Sequence, residues 1–288
     1  MKEPNAILCS DFHLREDTPI CRTDDFWETQ WRKVNFVRDL QKQYNCPVLH
    51  AGDLFHRWKP SPYLLSATME HLPDSFCTIY GQHDLPQHNL DLSYKSGIQT
   101  LKEAGKVDVL LAFHWGMKPD PNEVFPGIEI NGKCIAVWHN FTYMGKEPFP
   151  GAKGRAHVLL EKYKQFDLIV TGDNHQSFHV RGLNGNLLVN PGCLTRQRAN
   201  EEMPKVYLWY AETNTVEAIE VPAERGVVTR EHIEKVEERD ERIEAFISRL
   251  EMEWGKALSF EENIKNFFET NRVRKEVKSI IHKAMEND

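Results

Sequence analysis

The sequence predicts an α/β fold of sheets and helices, extended at its C-terminal end by further helices. Three observations predict it. Short apolar runs alternate with helix-periodic segments through the first half. Strands joined by tight turns crowd the second half as far as Val221. Beyond Pro222 strand signals fade, and charged segments with amphipathic periodicity take over. Residues 1–222 therefore read as the main domain and 223–288 as a helical extension.

In order, Ala6-Ile7-Leu8-Cys9 is a short apolar run and predicts a buried strand. From Asp25 to Tyr44, Trp27, Trp31, Val34, Val37 and Leu40 recur at helical spacing, and Asn45 and Pro47 end the helix. The next strand, Pro47 to Ala51, stops at Gly52-Asp53. Ser61 caps a Pro-led helix, Pro62 to His71. A strand over Phe76–Tyr80 and a helix over Leu92–Ala104 follow. Strands are predicted at Val107–Leu111, Gly127–Ile130 and Lys133–Trp138, the last two joined by an Asn131-Gly132 hairpin turn. A helix near Gly154–Tyr163 precedes a strand at Asp167–Thr171. Four more strands follow at Phe178–Val180, Asn186–Val189, Lys205–Tyr210 and Val216–Val221. Turns are marked by Asn184-Gly185 and Thr213-Asn214. In the extension, three apolar stripes predict three helices. They are Ile233, Val236, Ile243, Phe246 and Leu250; Phe260, Ile264, Phe267 and Phe268; and Val273, Val277, Ile280, Ile281 and Met285.

Composition narrows the class. Apolar residues are 40% and charged residues 27% of the 288, which excludes a disordered or collagenous chain. No apolar run approaches the ~18 residues that span a bilayer, so no membrane partner is expected. The short apolar stretch after Met1–Asn5 is unlike a signal peptide, which leads to an expected cytoplasmic location. With 36 Lys and Arg against 43 Asp and Glu, the net charge of −7 argues against coating nucleic acid by bulk charge. The six scattered cysteines form no CxxC pair and read as free thiols.

The informative pattern is where strands end. Five ends deliver Asp11-Phe12-His13, Gly52-Asp53, Gly81-Gln82-His83-Asp84, His139-Asn140 and Gly172-Asp173-Asn174-His175. Ligands of open α/β sheets bind at the carboxyl ends of strands. A lone Asp-x-His or Gly-Asp carries nothing, and His50 and His114, inside apolar runs, read as core residues. Five such ends together point to a mixed oxygen and nitrogen donor set. That set suits manganese, iron or zinc better than calcium. Two adjacent ions need a bridging carboxylate, and Asp53 on a middle strand is placed for it. His83 stands one residue from Gln82 and can give a proton or hydrogen bond to a leaving oxygen. The next residue, Asp84, is expected to fix its tautomer.

This series resembles the signature of the calcineurin-like metallophosphoesterase superfamily from about Ile7 to Gly192. Gly52-Asp53-Leu54-Phe55-His56 with Lys59-Pro60-Ser61 resembles more particularly the SbcD-type nuclease subunit of the double-strand-break repair complex. Asn190-Pro191-Gly192 followed by Arg196 and Arg198 does so too. The resemblance implies a two-sheet β-sandwich flanked by helices. It also implies two divalent metal ions, with manganese (Mn2+) expected ahead of Mg2+, Fe2+ or Zn2+. Asp11, His13, Asp53 and His175 would hold the first ion, and Asp53, Gln82, His139 and Asp173 the second. His83 would be the catalytic imidazole, and His56 would handle a DNA end. Gln82 departs from the family's usual Asn, and Asp173 from its usual His.

The expected activity is hydrolysis of phosphodiester bonds. The first reading is a DNA exo- or endonuclease subunit acting in DNA repair or recombination with an SbcC-type coiled-coil ATPase, gripped through residues 229–288. The alternative is a stand-alone phosphodiesterase or phosphatase acting on nucleotides or other small esters. A homodimer is compatible with either. Arg57, Lys59, Arg181, Arg196, Arg198 and Lys205, with Trp58, are the candidates for a DNA-facing rim.

Overall fold

A computed structural model describes residues 3–122, 128–253 and 260–285. Eleven strands and seven α-helices follow one another in the described residues. In chain order they begin β1 (Ala6–Cys9), α1 (Phe26–Tyr44), β2 (Val48–His50), α2 (Pro62–His71), β3 (Phe76–Thr78), α3 (Gly97–Glu103) and β4 (Asp108–Val109). Then come β5 (Ile128–Ile130), β6 (Lys133–Trp138), α4 (Ala156–Lys162), β7 (Leu168–Thr171), β8 (Phe178–Arg181), β9 (Leu187–Asn190), β10 (Lys205–Tyr210) and β11 (Thr215–Glu220). The extension adds α5 (Glu231–Glu253), α6 (Phe260–Thr270) and α7 (Lys275–Met285).

The strands form two sheets, in the orders β11-β10-β1-β2-β3-β4 and β5-β6-β7-β9-β8. The β1–β2–β3–β4 and β6–β7–β9 ladders are parallel, so their carboxyl ends share a direction within each sheet. The sheets pack face to face. Ala6 and Leu8 of β1 join Val137, Val170 and Val189 in the core between them. Ile7 and Cys9 point the other way, into a core shared with Val34, Val37 and Leu64 of α1 and α2. A third core packs α4 through Leu159 and Leu160 on Ala136, Ile169 and Leu188. The result is a helix–sheet–sheet–helix sandwich. Each fully buried Val, Leu, Ile or Phe contributes roughly 1.5–3 kcal/mol to holding the strand ends in place.

Local signals explain the boundaries. Asp25 caps α1 by accepting from the Glu28 amide, and Asn45 ends it in the left-handed region at φ 48°. Ser61 caps α2 with Pro62 at its start. Asn131 and Gly132 both take positive φ, as their hairpin requires.

The helix expected over Leu92–Ala104 is two elements. A 3-10 stretch runs from Leu90 to Lys95, and α3 begins afresh after Ser96, whose hydroxyl accepts from the Gln99 amide. Gly97 sits where a Cβ would lie 2.4 Å from Pro60, so the chain turns there to pack on the loop before α2. The strand expected over Val107–Leu111 pairs only at Asp108–Val109. Gly127, expected to open the following strand, lies outside the described residues.

The chain divides into two compact units, one reaching Thr229 and one from Arg230 onward. Residues 223–229, placed in the extension by the composition change at Pro222, return to the first unit. The Thr23 amide donates to Val227 and the Thr229 amide to Cys21. Within the extension, Phe246 meets Phe267 edge-on with ring centroids 5.4 Å apart. Phe268 packs on His282, and Lys278 Nζ donates to the Phe268 carbonyl. Ile264 and Phe268 are buried, whereas Ile243, Val277 and Ile280 stay exposed. The side chains of Val236, Leu250, Phe260 and Met285, expected in the three stripes, lie outside the described residues. No helix among the described residues is long and apolar enough to cross a membrane. The six cysteines are unpaired.

Candidate metal centre

The carboxyl ends of β1, β2, β6 and β7 and the loop after β3 bring seven of the sequence-predicted residues together. Asp11, His13, Asp53 and His139 are fully buried, and Gln82, Asp173 and His175 are half-buried. Asp11, His13, Asp53 and Asp173 all take left-handed backbone, with φ of 52°, 47°, 56° and 73°. Non-glycine residues hold such conformations only where the surroundings enforce them, and they cluster at functional sites. The enforcement is visible. The Asp11 amide donates to Gly52, the His13 amide to Asp53, and the Asp173 amide to the Asp11 carboxylate. Gly52 itself has φ 93°, and a Cβ there would lie 2.5 Å from His139 Nδ1. A Cβ on Gly81 would lie 2.1 Å from Asp53 Oδ1. These glycines let backbone approach the buried ligand candidates.

Asp53 stands between the histidines. Its Oδ1 accepts from the His83 amide at 2.8 Å. Its Oδ2 is buried without a hydrogen-bond partner, 3.7 Å from His13 Nε2 and 3.5 Å from His139 Nε2. Burial pushes the Asp53 carboxyl up, but the neighbouring His139 and His13 outweigh it and hold it well below the usual range. Burial raises Asp11 to about 6 against the pull of His175 and His139. Burial also holds His13 well below its usual value, hence as the neutral ring that metals prefer. His13 Nε2 and His175 Nε2 face each other at 3.1 Å, with Asp11 Oδ1 within 3.9 Å of both.

The other side is arranged differently. His139 Nδ1 donates to the Ala51 carbonyl at 2.6 Å, and its Nε2 donates to Gln82 Oε1 at 2.5 Å. Burial opposes charge on His139, yet the Asp53 carboxylate prevails and lifts it to about 10. Gln82 Nε2 in turn donates to Asp173 Oδ1 at 2.6 Å.

An orphaned buried carboxylate oxygen ringed by imidazoles is a donor set that fits a divalent cation. Asp11, His13 and His175, and separately Asp11, Asp53 and His139, place their ligand atoms within 4.8 Å of one another. The residues present can therefore hold metal ions.

His83 and His56 lie at the mouth. Their rings stack with centroids 5.4 Å apart, and the His83 ring meets His13 edge-on at 4.8 Å. His83 Nδ1 donates to the His56 carbonyl at 2.9 Å, which leaves Nε2 free to exchange a proton. This corrects the expectation for Asp84. The three residues Gln82–Asp84 form a 3-10 turn that sends adjacent side chains different ways. The Asp84 carboxylate accepts instead from the amides of Asp53, Leu54, Phe55 and Gly81, and so fixes the Asp53 loop. Burial and the Asp53 charge push the Asp84 carboxyl up, and the amide donors oppose them. Burial, then the Arg15 charge, lowers His56 to about 4.

The rim also differs from expectation. Arg181 ends β8, which runs antiparallel to β9, so it sits at the far end of the sheet and donates to Gly185 and Asn214 carbonyls. Arg196 turns toward Met203. Arg57, Lys59 and Arg198 are exposed and Lys205 half-buried.

Sequence reading missed Glu201. It is 5% exposed and pairs with His175 Nδ1. No spacing marks it, because the contact spans 26 residues and two loops. Asn190, noted only as part of a motif, donates to the carbonyls of Asn174 and Gln176 and holds the His175 loop.

Comparison with known proteins adds a family. The model of the calcineurin-like phosphoesterase superfamily domain matches residues 5–214. No curated protein matches the chain at a significant level. Among solved structures, a metallophosphoesterase from Sphaerobacter thermophilus is 14% identical, with 76% of this chain and 89% of that one covered and a TM-score of 0.39. A hypothetical protein from Pyrococcus horikoshii OT3 is 13% identical over 81% and 93%, with a TM-score of 0.45. A Vps29 single mutant from Entamoeba histolytica is 14% identical over 75% and 99%, with a TM-score of 0.37.

Proposed function

The chain belongs to the calcineurin-like phosphoesterase superfamily, and from that premise we propose that it is a dinuclear-metal-dependent phosphodiesterase acting on DNA. The observation that carries the hydrolase reading is the unpartnered Asp53 Oδ2 between His13 and His139, with the half-buried His83 ring edge-on to His13. Asp11, His13, Asp53 and His175 would hold one ion, and Asp53, Gln82, His139 and Asp173 the other, with Mn2+ the preferred metal for this mixed set. When bound, such a pair supplies Lewis-acid stabilisation of phosphoryl oxygens and lowers the pKa of water.

The chain's own residues do the rest. His83, anchored through Nδ1 on the His56 carbonyl, presents Nε2 to the leaving oxygen as hydrogen-bond donor or acid. Asp84 keeps the Asp53 loop rigid through four amides. DNA as substrate is supported by the likeness of the Gly52–His56 and Lys59–Ser61 segments to the SbcD-type nuclease subunit, and by the exposed Arg57, whose charge bears on His56. An ATPase partner of the coiled-coil type would use the extension, where Ile243, Val277 and Ile280 are exposed.

A second reading, a small phosphate ester as substrate, is favoured by the rim. Arg181 sits at the far end of the sheet, Arg196 turns toward Met203, and the net charge is −7. Release of nucleotides from linear duplex DNA with Mn2+, run beside hydrolysis of an aryl phosphodiester, separates the two. We expect both to be cleaved and chelation to abolish both. Cleavage of the aryl ester alone, with and without a coiled-coil ATPase, would defeat the DNA reading. His56→Ala should lower duplex cleavage about tenfold more than aryl ester cleavage, because a contact to the strand beyond the scissile phosphate serves only the large substrate. Equal losses would remove His56 from substrate handling.

A further inference from the structure

The carboxylate of Glu201 is outside the ligand set, yet it is buried against one member of it. Its side chain is 2% exposed, and both oxygens are used. Oε1 pairs with His175 Nδ1, and Oε2 accepts from the Gln197 amide. A buried carboxylate is costly unless paired, so this geometry is closely specified. An ionised carboxylate only accepts, so Nδ1 of His175 carries the proton. Its other nitrogen, Nε2, faces His13 Nε2 at 3.1 Å and Asp11 Oδ1 at 3.9 Å.

The other oxygen ties this ring to the strap that follows β9. Gln197 Nε2 donates to Thr195 Oγ1 at 2.7 Å, and the Thr195 hydroxyl donates to the Phe12 carbonyl at 2.7 Å. Phe12 lies between Asp11 and His13, so the chain of bonds returns to the loop that carries the other two donors.

We infer that Glu201 is a positioning residue: it fixes His175 as the Nδ1–H tautomer and thereby sets the affinity of the ion position made by Asp11, His13, Asp53 and His175. The inference rests on the metal-dependent reading above. Outer partners of ligand histidines typically contribute 10–100-fold in metal affinity.

The test uses the full chain and two readouts besides activity. Nitrogen-15 NMR of metal-free protein should find His175 protonated at Nδ1 in the wild type, and mixed between tautomers in Glu201→Ala. Calorimetric titration with Mn2+ should find one of two ions bound ~10–100-fold more weakly in Glu201→Ala, less so in Glu201→Gln, and the other ion unchanged. A purely structural role would lower the melting temperature and weaken both ions alike, which would overturn the inference. An Nε2–H tautomer in the wild type, or unchanged Mn2+ affinity in both variants, would also overturn it. If Glu201→Ala does not fold, Glu201→Gln and the wild-type tautomer decide. A wild type that binds two ions but cleaves no phosphoester would leave Glu201's role standing and remove the proposed function. A wild type that binds none would remove the metal-dependent reading and the Glu201 inference with it.

Discussion

The two sides of Asp53, facing His13 and His139, are prepared in opposite ways. On the Asp11, His13 and His175 side, two imidazole nitrogens face each other, and the outer nitrogen of His175 is tied back to Glu201. Its donors are aimed inward. On the His139, Gln82 and Asp173 side, the donors are spent on one another: His139 Nε2 gives its proton to Gln82, and Gln82 gives a hydrogen to Asp173. Gln82 and Asp173, the two residues that the resemblance sets apart, fall together on this second side and hydrogen-bond to each other. The extra methylene of Gln82 lets its amide reach both neighbours. The first side must give up one hydrogen bond, between His13 and His175, before it takes an ion, while the second must break two shorter ones and lose the His139 proton.

The largest effect should follow from removing what the halves share. Asp53→Asn should reduce bound Mn2+ from about two ions to fewer than one per chain, because a bridging carboxylate serves both positions. Elemental analysis after gel filtration measures this, and a variant still holding two ions would end the bridging role.

His83→Ala tests whether the mouth is separate from both halves. Turnover should fall ~100-fold or more, the scale of an acid–base group, with metal content unchanged. His83 meets Asp53 through its backbone amide, which the substitution keeps. Unchanged turnover would take His83 out of the chemistry.

Gln82→Asn addresses the asymmetry itself. The shorter amide cannot bridge His139 and Asp173 as Gln82 does, so the second ion should bind about tenfold more tightly while the first stays as it was. Stepwise calorimetry resolves the two. Equal affinities before and after would mean that the Gln82 bonds do not oppose the second ion.

How much of this was legible in the sequence follows from the same contrast. Apolar runs stopping at Gly-Asp or Asp-x-His are local, so the segments that carry Asp11, His13, Asp53, Gln82, His139, Asp173 and His175 could be gathered from strand ends, and the resemblance picked the ligand candidates among them. The two-sheet sandwich was implied by the family resemblance, and its physical reason is that both faces of β1 are apolar, one set for the helices and one for the second sheet. Contacts across loops were not. Glu201 reaches His175 through the strap after β9, and nothing in Asn200-Glu201-Glu202 marks it. Neighbours in sequence also misled: Asp84 follows His83 but serves the Asp53 loop, because a 3-10 turn separates their directions. Arg181 is near the Asn190 motif in sequence, but the antiparallel course of β8 carries it to the other end of the sheet.

The smallest effect concerns what lies under the first half. Lys33 of α1 is 1% exposed and donates through Nζ to the Thr195 carbonyl at 3.1 Å, beneath the strap that Glu201 holds. Arg22 donates to the same carbonyl at 2.8 Å, and Cys193, Arg196 and Asp24 are the other groups that bear on the amine. Burial, helped by the Arg22 charge, lowers Lys33 from 10.5 to about 7. Between those values the unfolded chain holds the proton and the folded chain does not, so stability from this group rises as pH increases from about 7 toward 10. The slope is at most about 1.4 kcal/mol per pH unit, and below about pH 7 it vanishes. Lys33→Met removes the titrating amine, and Arg22 still serves the Thr195 carbonyl. Urea midpoints of metal-free protein from pH 6 to 9 should therefore rise with pH more steeply for the wild type than for the variant. Parallel curves would show that Lys33 does not titrate in this window. The strap would then rest on a permanently charged ammonium, as firmly fixed as the loop that Asp84 holds on the other side.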